Sequence, residues 1–264
     1  MKARLYNQIA RKYGMTTLIP FTEVDGTTPQ SEKFIDYGLS TTEDTWGGTF
    51  SPSFNTVGNG DWADTSAATT SSLVTATNVV LPGAAKGFLI AFAMKSASHP
   101  NYTDGEFSIG NPASGSLIQY ASVSETEGTV TIKDLVAATQ ATITTTEIAA
   151  AGSKAVVIHC GDRATGNITV WSGRASGVTA STGTGTLTNP AANIITSNYY
   201  MQDIDELHPI LGWEYTSNVP TPTDAEVSNF IGKFYNESRF GLQKRDWDAI
   251  PDTWTNTTIR DNLL

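Results

Sequence analysis

Gln202-Asp203-Ile204-Asp205-Glu206-Leu207 is the stretch of this chain closest to a catalytic motif. Glycan-cleaving strands of the form E-x-D-x-E point a general acid and a nucleophile into a cleft from one face. Strand alternation here groups Asp203, Asp205 and Leu207, while Glu206 faces away. The third carboxylate is missing, so a glycan hydrolase dependent on Asp205 ranks last among the functional readings. Asp203 and Asp205 also serve as candidate metal ligands: with Asp61, Asp64 and Asp104 they could offer hard oxygen atoms to calcium, the one cofactor considered. No dense D-x-D-x-D-G loop supports that site, and plain surface aspartates are the ordinary alternative. His99, His159 and His208 show no paired metal-ligand spacing. Cys160, the single cysteine, lies in the apolar run AVVIHC and reads as an inert buried thiol. No G-x-S-x-G elbow occurs, so no catalytic residue is assigned.

Aromatic residues in polar stretches are the stronger signal. Trp46, Trp62, Tyr102, Tyr199 and Tyr200 are expected in loops, where rings stack on sugar faces or anchor a protein partner. The alternative is that they close the ends of an apolar core.

The elements that must position these groups are mostly strands. Candidates are Leu73–Leu81, Gly87–Lys95, Glu106–Ile109, Ser116–Val123, Thr129–Leu135, Ala141–Thr146, Ala155–Cys160, Asn167–Ser172, Gly185–Thr188, Asn193–Ile195 and Ile210–Tyr215, separated by turn residues such as Pro82-Gly83 and Asp104-Gly105. FLIAFAM within Gly87–Lys95 is apolar on both faces and predicts a central strand covered on both sides. Thr129–Leu135 alternates, with Val130 and Ile132 inward. Ser172–Asn189, rich in Gly, Ser and Thr, predicts a long connection, and Thr16–Gly48 a polar, turn-rich segment.

One helix is well signalled, and residues 1–15 read either as a weakly amphipathic helix or as a frayed terminus. Residues 1–15 carry Leu5, Ile9 and Tyr13 at four-residue spacing among basic residues. After Pro220 and Pro222, Thr223 and Glu226 have capping-box spacing, followed by Val227, Phe230, Ile231 and Phe234 as one apolar stripe. The tail beyond Phe240 scatters Trp247, Ile250, Trp254, Ile259 and Leu263 among polar residues. It is too apolar for a disordered segment, so it packs on its own domain or on a neighbour.

With 264 residues, 39% apolar and 16% charged, the composition suits one loop-rich β-domain. The formal charge of −10 opposes a nucleic-acid groove and an anionic membrane surface. Lys2, Arg4, Arg11 and Lys12 precede the first carboxylate, Glu23. They concentrate +4 at the start of a chain of net −10, leaving −14 for the remainder. No secretory signal or bilayer-spanning run is legible, which predicts synthesis in a reducing cytosol. The expected divisions are 1–33 as an N-terminal arm, 34–240 as the sandwich and 241–264 as a C-terminal tail.

The order GFLIAFAMKS, hairpins, AAAGSKAVVIHCGDRATGNITVWSGRAS and ILGWEYTSNVPTPTDAEVSNFIGKFY resembles the laminin G-like, concanavalin A-like jelly rolls over about residues 35–238. Trp213, Glu214, Tyr215, Thr223, Asp224, Ala225, Glu226, Val227 and Tyr235 hold the places of the family's closing strand and helix. The resemblance implies an all-β jelly-roll sandwich with one short C-terminal helix. The absent export signal, apolar tail and basic arm are similar to versions of this fold in tailed-bacteriophage particles. That similarity implies a non-enzymatic virion structural protein, such as a capsid decoration, head-fibre or tail-associated module, made in the host cytoplasm and located in the virion. Its partners would be other virion proteins and copies of itself, held through Lys2, Arg4, Leu5, Ile9, Arg11, Lys12, Trp247, Trp254 and Leu263. The alternative is a carbohydrate-binding module for a host surface glycan, and neither reading involves nucleic acid or membrane. Fold alone does not choose between them.

Overall fold

The computed structural model describes residues 2–20, 33–38, 42–46, 53–54, 63–64, 72–75, 80–81, 86–95, 106–109, 117–124, 127–133, 139–146, 154–174, 181–188, 194–195, 198–202, 206–235, 246–257 and 260–261. The strands are β1 (Thr17–Ile19), β2 (Lys33–Asp36), β3 (Thr42–Trp46), β4 (Ser53–Phe54), β5 (Ala63–Asp64), β6 (Ser72–Thr75), β7 (Val80–Leu81), β8 (Gly87–Lys95), β9 (Glu106–Ile109), β10 (Leu117–Ser124), β11 (Glu127–Lys133), β12 (Thr139–Thr146), β13 (Lys154–Cys160), β14 (Asn167–Arg174), β15 (Ser181–Thr186), β16 (Ile194–Ile195), β17 (Asn198–Gln202), β18 (Glu206–Leu207) and β19 (Ile210–Tyr215). The α-helices among the described residues are α1 (Lys2–Tyr13) and α2 (Asp224–Phe234).

Nine of these strands form one antiparallel sheet and eight a second, with β16 and β7 a separate pair. In the first sheet β8 has β13 along one side, and β19 and β18 end to end along the other. The His208 amide donates to the Ala93 carbonyl at 2.9 Å, carrying the ladder across the short break between β18 and β19. The second sheet runs β12-β11-β10-β9-β17-β6-β3-β2. Along one margin β12 packs on β15, where the Thr146 amide donates to Ser181 Oγ at 3.1 Å.

The period of two decides the core. Phe88, Ile90, Phe92 and Met94 of β8 join Val156, Ile158, Val130 and Ile132 in an apolar cluster between the sheets. Leu89, Ala91 and Ala93 belong to a second cluster on the other face, with Val157, Trp213, α1, α2 and the tail. The expectation that β8 is covered on both sides is met, and so is the inward placement of Val130 and Ile132.

The second cluster adds a layer of α1, α2 and the tail over the first sheet, where the resemblance implied a sandwich with one short C-terminal helix. The buried stripe of α1 is Tyr6, Ile9, Ala10 and Tyr13, whereas Leu5 remains 43% exposed. The i, i+3, i+4, i+7 pattern places a full helical face on the sheet, and the four-residue spacing of Leu5, Ile9 and Tyr13 drifts off it. The tail forms two 3-10 turns, Trp247–Ala249 and Asp252–Trp254. Its rings extend an aromatic chain from Tyr37 through Tyr6, Trp247, Phe234, Phe230 and Trp254 to Trp213, with centroid separations of 4.8–5.7 Å.

Other expectations change. Thr16–Gly48 contains β1, β2 and β3 rather than turns alone, with β1 pairing β19. Within Ser172–Asn189, residues 181–186 form β15 paired to β14. Its Thr residues alternate with glycines that lie against β12, where an added Cβ at Gly183 would come within 2.5 Å of the Thr144 carbonyl oxygen. No described helix is long and apolar enough to cross a membrane.

Candidate functional site

An open cleft of about 390 Å³ lies where α1, α2 and the tail meet, lined by Lys12, Tyr13, Glu226, Asn229, Asp248 and Asp252 together with residues 249–251. Three local structures hold its walls. Helix α1 stops at Gly14, whose φ of 60° lets the Met15 amide reach back to the Ala10 carbonyl at 2.9 Å. No side chain fits at Gly14, because a Cβ there would lie 2.2 Å from the Asn256 carbonyl oxygen. The freed Tyr13 carbonyl accepts from the Asn256 amide and from Trp213 Nε1, both at 3.0 Å, while Asn256 Nδ2 donates to the Glu214 carbonyl. One tail residue thereby ties the end of α1 to β19.

The second wall is the start of α2. Thr223 Oγ1 accepts from the Glu226 amide at 3.2 Å, and Glu226 Oε2 accepts from the Thr223 amide at 2.8 Å, completing the expected capping box. Thr253 Oγ1 donates to Glu226 Oε1 at 2.9 Å, fastening the tail to the same carboxylate. Hydrogen bonds from the Thr223 backbone and side chain hold Glu226 below the usual carboxylate range.

The third wall is the tail, where Asp248 Oδ1 lies 2.9 Å from Lys12 Nζ. Lys12 Nζ also sits 4.7 Å from the centroid of the Tyr13 ring. Contacts with Tyr13, then with Asp248, keep the ammonium protonated well above the usual lysine range. Asn229 and Asp252 are exposed. The cleft therefore presents an amide, carboxylates and an ammonium, a donor and acceptor set suited to holding a polar ligand. Sequence reasoning missed it because its walls come from three distant segments; only the capping box and the basic, apolar character of the two termini were visible.

Cys160 and His159 are not activated for chemistry. Cys160 is buried, and desolvation pushes its thiol up to about 11. His159 is buried and held down to about 4 by desolvation, and its Nε2 has no hydrogen-bond partner. The described residues contain no group of three or more His, Cys, Asp or Glu able to hold a metal.

The aromatic binding candidates need one correction. Trp46 ends β3, and Tyr199 and Tyr200 lie in β17, so these three are strand residues of the second sheet rather than loop residues. Aromatic and branched neighbours favour pleated structure there despite the polar flanks. The register aligns Trp46, Val74, Tyr199, Ile109 and the buried Ile118 in one row, with Tyr200 one position out of it. Trp62 and Tyr102 lie outside the described residues, as do Asp61, Asp104, Asp203 and Asp205. Asp64 stands opposite Glu206, which stands opposite Lys95.

Of the assembly candidates, Ile9 and Trp254 are buried within this chain and Trp247 is partly buried against the same cluster. Their apolar area is already covered by their own sandwich. Arg4, Leu5, Arg11 and Lys12 are exposed. Lys2 begins α1, and Leu263 lies outside the described residues.

No protein-family model matches the chain, and no curated protein matches it. Solved structures do match in fold. The binding domain of botulinum neurotoxin DC in complex with rat synaptotagmin II is 12% identical with a TM-score of 0.56, over 88% of this chain and 55% of that one. The same toxin's binding domain in complex with SialylT is 12% identical with a TM-score of 0.53, over 84% and 52%. The serotype C1 binding domain is 10% identical with a TM-score of 0.54, over 84% and 52%. This chain spans about half the length of the chains it matches. At this identity the likeness is one of fold: a mostly β, antiparallel architecture resembling the jelly-roll region of those domains.

Proposed function

We propose that this chain is a non-enzymatic binding module that recognises a carbohydrate or a glycan-bearing receptor. The observation carrying this reading is the fold it shares, across more than four-fifths of its length, with binding domains, one of them described in complex with SialylT. The polar cleft gives the reading a place to act: Asn229 and Asp252 can exchange hydrogen bonds with hydroxyl groups, and Lys12 with a ring oxygen or an acidic substituent. The unactivated Cys160 and His159 are consistent with binding rather than bond-making.

Glycan-array binding of the purified chain, in calcium and in chelator, tests the reading. Binding weakened by Asn229→Ala or Asp252→Ala locates the ligand in the cleft, and binding weakened by Trp62→Ala or Tyr102→Ala locates it at those aromatics. Absence of binding to any glycan in both conditions counts decisively against the proposal.

The reading as a virion structural protein rests on the sequence resemblance alone, since the structural neighbours cited above are toxin binding domains. If it held, assembly would use surfaces other than the already buried Ile9 and Trp254.

A further inference from the structure

The outer face of α1 is a ridge of one sign. Among the residues of α1 whose side chains are described, Arg4, Leu5, Gln8, Arg11 and Lys12 are exposed, and their spacing places them along one side of the helix. The first turn of α1 holds no acidic residue, and Arg11 and Lys12 occupy its last. Leu5, 43% exposed, is the one exposed large hydrophobic among the described residues, and it sits inside this ridge. At the C-terminal end of the ridge the surface changes sign: Glu226, Asp248 and Asp252 line the cleft that Lys12 shares. The Lys12–Asp248 contact of 2.9 Å marks the boundary.

A surface with a cationic half beside an anionic half is complementary to itself. A two-fold rotation lays the ridge of each copy on the acidic rim of the other, satisfying both halves with one contact. We infer that this face pairs two copies of the chain, the Arg4 and Arg11 ridge of each facing the Asp248 and Asp252 rim of the other. Other occupants fit less well. The apolar stripe of α1 is buried in the fold, and Leu5 alone is too little apolar surface to hold the helix in a bilayer. The acidic rim of a second copy, with Asp248 and Asp252 exposed, offers the carboxylates that the ridge requires. Arg4 and Arg11 lie about 10 Å apart along the helix, a spacing two separate carboxylates can meet. Contacts of this exposed, charged type are weak and sensitive to salt.

Sedimentation velocity of the full chain over a wide concentration range tests the pairing. The expected result is a concentration-dependent dimer in about 50 mM salt that weakens at least about tenfold in about 500 mM. Arg4→Glu with Arg11→Glu should abolish it without lowering the melting temperature, both residues being exposed. Adding Asp248→Lys and Asp252→Lys to that variant should restore it. A chain that stays monomeric in low salt at high concentration overturns the inference. So does a dimer that persists in the Arg4→Glu, Arg11→Glu variant, or one that the compensating lysines fail to restore.

Discussion

Glu214 shows how far position alters a side chain. It interrupts the apolar run of β19, and desolvation pushes its carboxyl up to about 7 from an ordinary 4.5. The folded state thus favours the neutral form. Its penalty is absent below about pH 4.5, grows as pH rises towards 7, and stays constant above that. Glu214→Gln should therefore stabilise the fold by up to about 3 kcal/mol at pH 8 and leave it unchanged at pH 4, as read by urea unfolding. His159 has the opposite limb. Its folded value is about 4 against 6.5 in the open chain, so stability is full above 6.5 and is lost as pH falls from 6.5 towards 4. His159→Gln should flatten that acid limb; an unchanged limb would place the proton uptake elsewhere. The identity of both residues is legible in the sequence, but their desolvation is not, because it depends on strands far along the chain.

Among the elements, α2 was the most legible. Its cap, stripe and stop are all local, and the observed Thr223–Glu226 box and buried Val227, Phe230, Ile231 and Phe234 match the pattern read from spacing alone. Helix α1 was legible as a helix but not in its facing: Tyr6 and Ala10 are buried and Leu5 is not. Tyr6 is claimed by Tyr37 and Trp247, partners 31 and 241 residues away, and no local rule names them. The tail is the element on which sequence reasoning was evenly divided. Trp254 lies against Trp213 and Phe230, and its carbonyl accepts from the Tyr215 hydroxyl at 3.1 Å. Trp254→Ala should lower stability by about 3–5 kcal/mol, the range for removing a large buried ring, seen as a reduced melting temperature with the far-UV spectrum of the sheets retained.

For the whole molecule, the three packed layers make the terminal segments structural. Residues 2–19 and 246–257 share one apolar cluster with β19 and α2, so deletion of 246–264 should broaden or abolish the cooperative thermal transition. An unchanged melting curve would show that the tail merely rests on the surface. The sequence by itself determined the continuous apolar run of β8, the alternation of β11, the capping chemistry of α2 and the concentration of positive charge at the start of the chain, since each depends on neighbours a few positions apart. Only the tertiary structure decided that α1 and the tail close a third layer over the first sheet, that β15 begins at Ser181 and pairs β14, and that Lys12, Asn229 and Asp252 border one cleft. Those outcomes depend on which distant surfaces remain uncovered once the sheets have paired, a condition that long-range packing sets and local spacing does not encode.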